Sequence, residues 1–162
     1  MKKEKPLSLK IASRTRLHVS KDFVTNGHFA LKPALFHVLN LKVRLSETPV
    51  SFDVAGNGAL GQELISPLNV EQVERVFALA DSAEYQTEKP MLRTSDNVTV
   101  KVTSGQVAAH ISPKYLPLLD RLDRIVGGEW QINSELSNLK ALRFVLNGKT
   151  QALLMPCTGK KT

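Results

Sequence analysis

A chain of 162 residues, 42% hydrophobic and 23% charged, is long enough to bury a core and too apolar to stay unfolded, which excludes an intrinsically disordered protein. No apolar run reaches the roughly 18–20 residues that span a bilayer as a helix, and the basic start MKKEKPLSLKIASRTR lacks the apolar stretch of a signal peptide, so a cytoplasmic protein with no membrane role is expected. A formal net charge of +7 invites a polyanionic partner, whereas the single cysteine, Cys157, excludes an internal disulfide and by itself a zinc site.

Residues 1–16 hold Lys2, Lys3, Lys5, Lys10, Arg14 and Arg16 against Glu4, and Lys160 and Lys161 close the chain. The other 14 basic residues are balanced by 14 acidic ones. This distribution predicts basic tails at 1–16 and 159–162 around a nearly neutral body of two α/β half-domains, 17–66 and 67–158. DNA contact would then be sequence-independent and lean on the tails or a local stripe. The alternative is tails that only aid solubility.

Leu17–Val19, Phe23–Thr25 and His28–Leu31 read as short strands, with Asn26-Gly27 between the last two as a two-residue hairpin turn. Pro33 opens a short apolar helix to Leu41, since its missing N–H suits a first helical position. Leu41–Leu45 and Val50–Val54 are the next predicted strands. Gly56, Gly58 and Gly61 then spell GxGxxG, a spacing that cradles a pyrophosphate only where a helix opens within it. Pro67 leaves room for barely two helical turns, so a turn or bulge is predicted there.

Asn69, with Gln72 three residues on, caps a helix whose apolar face is Val70, Val73, Val76, Phe77 and Ala80. A third helix runs from cap Ser112 and Pro113 to the stop Gly127-Gly128 and buries Tyr115, Leu118, Leu119, Leu122, Ile125 and Val126. Lys114, Arg121 and Arg124 gather on one flank of its polar face, beside Asp120 and Asp123. Leu142–Leu146 and Thr150–Met155, joined by Asn147-Gly148, complete the chain. The expected class is therefore α+β, an antiparallel, hairpin-rich sheet with about three helices. A hairpin followed by a proline-started helix occurs at Phe23–Leu41 and again at Val98–Val126, with Pro33 and Pro113 80 positions apart, which predicts pseudo-twofold half-domains.

His18, His28, His37 and His110 show no HExxH spacing, no GxSxG elbow exists, and Cys157 has no assigned base. No catalytic residue, metal ligand or cofactor is therefore expected.

Two stretches carry a resemblance. Val24-Thr25-Asn26-Gly27-His28-Phe29-Ala30-Leu31 and Ala152-Leu153-Leu154-Met155-Pro156-Cys157 resemble the ATDGHRL hairpin and terminal VVMPM strand of the bacterial sliding clamp family, the β subunit of the replicative DNA polymerase. In that family both segments line one hydrophobic groove that accepts linear motifs of polymerases and other DNA-processing partners. The resemblance implies Thr25, Gly27, His28 and Phe29 on one side of such a groove and Met155 and Pro156 on the other. It also implies clamp-like half-domains and helices facing DNA, with Lys114, Arg121 and Arg124 as helical contributors; Lys114-Tyr115-Leu116 is similar to a KYLxxL-like lead into the family's late helix. The chain departs from the pattern at Phe29, where the family has arginine, at Ala30 for leucine and at Cys157 for a second methionine. It has less than half the length of a three-domain clamp subunit, so a ring would require a higher homo-oligomer. The implied function is that of a non-enzymatic, processivity-type accessory protein of DNA replication or repair. The alternative is a small protein-interaction or inhibitor domain, phage or mobile-element encoded, without DNA binding; a nucleotide-binding enzyme using residues 56–61 comes third.

Overall fold

The computed structural model describes residues 7–41, 43–86, 90–95, 100–104, 107–134 and 141–156. The fold is α+β, with antiparallel strand pairing and three α-helices among these residues. The chain divides into two compact units, Met1–Arg75 and Val76–Thr162.

In the first unit a 3-10 helix, Leu9–Ala12, precedes strands β1 (Arg16–Val19), β2 (Val24–Thr25) and β3 (Phe29–Leu31), helix α1 (Ala34–Leu39), and strands β4 (Val50–Asp53) and β5 (Leu64–Ile65). The strand order is β5-β4-β1-β2-β3. Alternation along β1 turns Leu17 and Val19 into the core and leaves Arg16 exposed. The expected basic tail at 1–16 is folded from Leu7 onward. Leu7, Ile11 and Ala12 are buried, and the Leu7 N–H donates to the Leu39 carbonyl at 3.0 Å. Apolar spacing inside the basic stretch, not its charge, decides its fate.

The strand expected over Leu41–Leu45 does not form: Leu41 and residues 43–45 are irregular, and Lys42 lies outside the described residues. Both edges of β4 are occupied, by β1 and by β5, so this segment has no ladder to join there. The glycine-rich stretch closes the β4–β5 connection as a turn. Ala55 N–H donates to Ala59 O at 2.9 Å, and Val54 bridges Leu60. A strand, β5, follows in place of the helix a dinucleotide fingerprint needs.

Helix α2 (Val70–Ser82) starts as expected, with the Asn69 side-chain oxygen accepting from Gln72 N–H at 3.2 Å. Of its apolar face Phe77 and Ala80 are buried, but Val76 is exposed, as is Leu79 at 60%.

In the second unit β6 (Met91–Ser95), β7 (Val100–Ser104) and β8 (Val107–Ile111) form one sheet in that order. A 3-10 turn, Pro113–Tyr115, leads into α3 (Leu116–Asp123). Strands β9 (Gly128–Gln131), β10 (Leu142–Leu146) and β11 (Lys149–Leu154) follow, with β10 paired to both others. Asn147 and Gly148 have φ of 55° and 82°, both positive as a type I′ hairpin requires.

Helix α3 buries Leu118, Leu119 and Leu122, and the 3-10 turn before it buries Tyr115, whereas Val126 is 96% exposed. The apolar period runs on to Val126, but the helix stops at Asp123 with Arg124 as its cap, so Val126 lies in the turn into β9. The Trp130 Nε1–H donates to the Leu119 carbonyl at 3.2 Å, tying α3 to β9. Trp130 also meets Phe144, its register partner on β10, edge to face at 5.6 Å between ring centres.

Candidate peptide-binding hairpin, cationic helix and apolar cavity

The VTNGHFAL segment forms the β2–β3 hairpin, but its turn differs from the expected Asn-Gly type. Thr25 pairs with Ala30, and Asn26 N–H donates to Phe29 O at 3.3 Å, so Gly27 (φ 91°) and His28 occupy the tip. Asn26 keeps a negative φ because its side chain is committed. Its Oδ1 accepts from the N–H groups of His28 (2.9 Å) and Phe29 (3.0 Å), and its Nδ2 donates to Thr15 Oγ1 at 3.3 Å. The Thr25 hydroxyl donates to Phe29 O at 2.5 Å and accepts from Gly27 N–H at 3.0 Å.

Among the residues expected to form a groove, Thr25 and Phe29 are thus buried within the first unit, while Gly27 and His28 are exposed at the hairpin tip. Met155 and Pro156, both half-buried, follow the end of β11 in the second unit.

The helical cations lie along one segment. Lys114 stands in the 3-10 turn with its ammonium 6.0 Å from the Tyr115 ring centre, Arg121 is half-buried on α3, and Arg124 caps the helix with its guanidinium 3.5 Å from Asp120. In the first unit Lys10 and Arg14 are exposed, Arg14 with φ 62°, and Arg16 pairs with Asp53 at 3.2 Å. Lys2, Lys3, Lys5, Lys160 and Lys161 lie outside the described residues.

Two titratable groups are perturbed. Burial, then the charge of Arg16, lowers the pKa of His18, whose Nδ1 lies 2.7 Å from Ser66 Oγ. The imidazole nitrogen and the Ser66 hydroxyl share one hydrogen bond. The same Ser66 oxygen accepts from Leu68 N–H at 3.1 Å, so its role here is to hold the loop after β5. Burial raises the pKa of Tyr85, an effect that Asn133 and the Arg143 charge oppose and the Asp81 charge reinforces. Among the described residues no three His, Cys, Asp or Glu side chains converge as a metal site, and no helix is long and apolar enough to cross a membrane.

Sequence reasoning missed a cavity of about 260 Å³ in the second unit, lined by Val102, Leu116, Leu119, Trp130, Asp120 and Asp123, with Pro90 at its side. Its only sequence signal is the i, i+3 spacing of Asp120 and Asp123 above an apolar stripe. Comparison of the chain with family models, with curated proteins and with solved structures finds no match.

Proposed function

We propose that this protein is a non-enzymatic, sliding-clamp-like accessory factor of DNA replication or repair, binding DNA through cations and partner peptides beside the β2–β3 hairpin. One observation carries the reading. In each unit an antiparallel hairpin, β2–β3 or β7–β8, is followed two residues after its last strand by a proline that leads a helix, Pro33 into α1 and Pro113 into α3. Repetition of that unit is what the family resemblance implies. Its second copy carries Lys114, Arg121 and Arg124 into one helical segment.

Duplex DNA titrations over a salt series test the proposal. Two unrelated sequences should bind equally, with log K falling linearly in log salt. Removing residues 1–6 and 159–162 takes away five lysines and one glutamate without touching Leu7, and should flatten the slope. Absence of DNA binding at low salt would overturn the reading.

A second reading, a protein-interaction domain without a DNA role, is favoured by β5. Within the first unit β5 pairs only with β4, and it presents Leu64 and Ile65, the latter 82% exposed. Exposed apolar edges mark partner surfaces. A monomer that binds no DNA and captures one host protein would favour it.

A further inference from the structure

We infer that Lys10, Arg14 and the glycine-rich turn at 55–58 in the first unit form a binding site for a phosphate group. The turn is closed by Gly58 N–H on Ala55 O at 2.9 Å. The N–H groups of Gly56 and Asn57, both exposed at its tip, have no hydrogen-bond partner among the described residues. Two basic side chains lie against this turn. A Cβ at Gly56 would stand 3.7 Å from Arg14 Nε, and one at Gly58 would stand 2.9 Å from the main-chain nitrogen of Lys10 and 3.4 Å from its Cγ. The two glycines thus let the 3-10 segment and its cations settle beside the unpaired backbone donors.

Arg14 stands at φ 62° just past Ser13, the cap of the 3-10 helix. Glycine or asparagine normally fills such a left-handed position, because other residues enter it at a cost. The backbone is held there, with Arg14 N–H donating to Val54 O at 2.7 Å and Val54 N–H to Thr15 O at 3.0 Å. Neither Arg14 nor Lys10 pairs with a carboxylate among the described residues, and Asp53, beside Val54 in the chain, is engaged by Arg16 at 3.2 Å. Two cations and two unpaired N–H groups at one turn, with no acid of their own, suit an anion. Phosphate oxygens match both the guanidinium fork and the backbone donors. No helix opens at this turn, so Lys10 and Arg14 supply the positive charge that a helix end supplies in a dinucleotide fingerprint. The phosphate can come from a free phosphate ester or from a nucleic-acid backbone, and the site does not depend on the clamp-like reading.

The full chain, labelled with nitrogen-15, is titrated at low salt with inorganic pyrophosphate and separately with a short DNA duplex, while the amide signals of Gly56 and Asn57 are followed. Both signals should shift saturably with pyrophosphate. Lys10→Gln with Arg14→Asn, the asparagine being tolerant of the left-handed backbone, should weaken pyrophosphate about ten-fold through the loss of two charge-assisted contacts. The unfolding midpoint should not fall, since both side chains are exposed. Lys21→Gln with Lys149→Gln removes the same two charges from other exposed positions and should leave the affinity within about two-fold. Duplex-induced shifts that the Lys10 and Arg14 variant loses assign the site to a nucleic-acid backbone. Pyrophosphate binding alone assigns it to a free phosphate ester, and the site then stands where the DNA reading fails. No saturable shift at Gly56 and Asn57, undiminished binding by the Lys10 and Arg14 variant, or equal weakening by the Lys21 and Lys149 variant would overturn the inference.

Discussion

The guanidinium carbon of Arg143 lies 4.0 Å from the centre of the Tyr85 ring. Its Nη1 donates to the Ala80 carbonyl at 2.6 Å and its Nε to Gln131 Oε1 at 2.8 Å, while the Tyr85 hydroxyl donates to Ala141 O at 3.0 Å. One side chain on β10 thus joins the end of α2 to β9 by a planar fork stacked on a ring, a geometry lysine cannot reproduce. Arg143→Lys should destabilise the protein by about 1–3 kcal/mol. Tyr85→Phe keeps the ring and loses the hydroxyl's hydrogen bonds, to Ala141 O and with Asn133, at about 1 kcal/mol. Urea midpoints of the two variants check this order.

Gly128 opens β9 where Phe144, its neighbour one strand over, is fully buried. A Cβ at this position would overlap the Phe144 ring. The ring is fully buried and packed edge to face on Trp130, so shifting it for Gly128→Ala should cost about 1–3 kcal/mol by overpacking. Thermal unfolding should show the loss, and Gly128→Ala with Phe144→Leu should recover part of it.

The two Asn-Gly pairs show what was legible in the sequence. Asn147-Gly148 forms the expected turn with both φ positive, because local preference meets no competitor there. Asn26-Gly27 is the same dipeptide, yet Asn26 is 8% exposed and bound to Thr15, so a contact eleven residues away overrides the turn preference. Capped helix starts at Asn69 and Ser112 and the hairpin-rich α+β class follow from local signals and were readable. The end of α3 before Val126 was not, since periodicity continues where the helix gives way to turns, closed by Ile125 N–H on Leu122 O and Gly128 N–H on Ile125 O. The cavity draws on Val102, Leu116 and Trp130 from β7, α3 and β9, a convergence that no local pattern encodes.

His18 should make stability depend on pH. Its folded pKa lies below the ordinary value of 6.5, so the unfolded chain binds the proton first. Stability is therefore full above about 6.5 and is lost as the pH falls through the folded pKa, levelling below it. Unfolding midpoints at pH 7 and pH 5 should differ less for His18→Gln than for the unaltered protein. Equal differences would remove His18 as a contributor.

Met155 separates a groove from a core role. As a half-buried anchor beyond the buried end of β11 at Leu154, its truncation to alanine should weaken capture of a hydrophobic linear peptide by roughly 1–3 kcal/mol and leave folding intact. A core residue would instead cost about 2–5 kcal/mol of stability. Peptide affinity and unfolding midpoint, taken on the same variant, distinguish the two.

The clamp-like reading is tested most directly by the mass and shape of the particle in solution, measured by light scattering and imaged at low resolution with and without duplex DNA. The account predicts a closed ring whose mass is a whole multiple of the 17.9 kDa chain, with an opening wide enough for a duplex. A particle that stays at the mass of one chain at every concentration, and is unchanged by DNA at low salt, would contradict it.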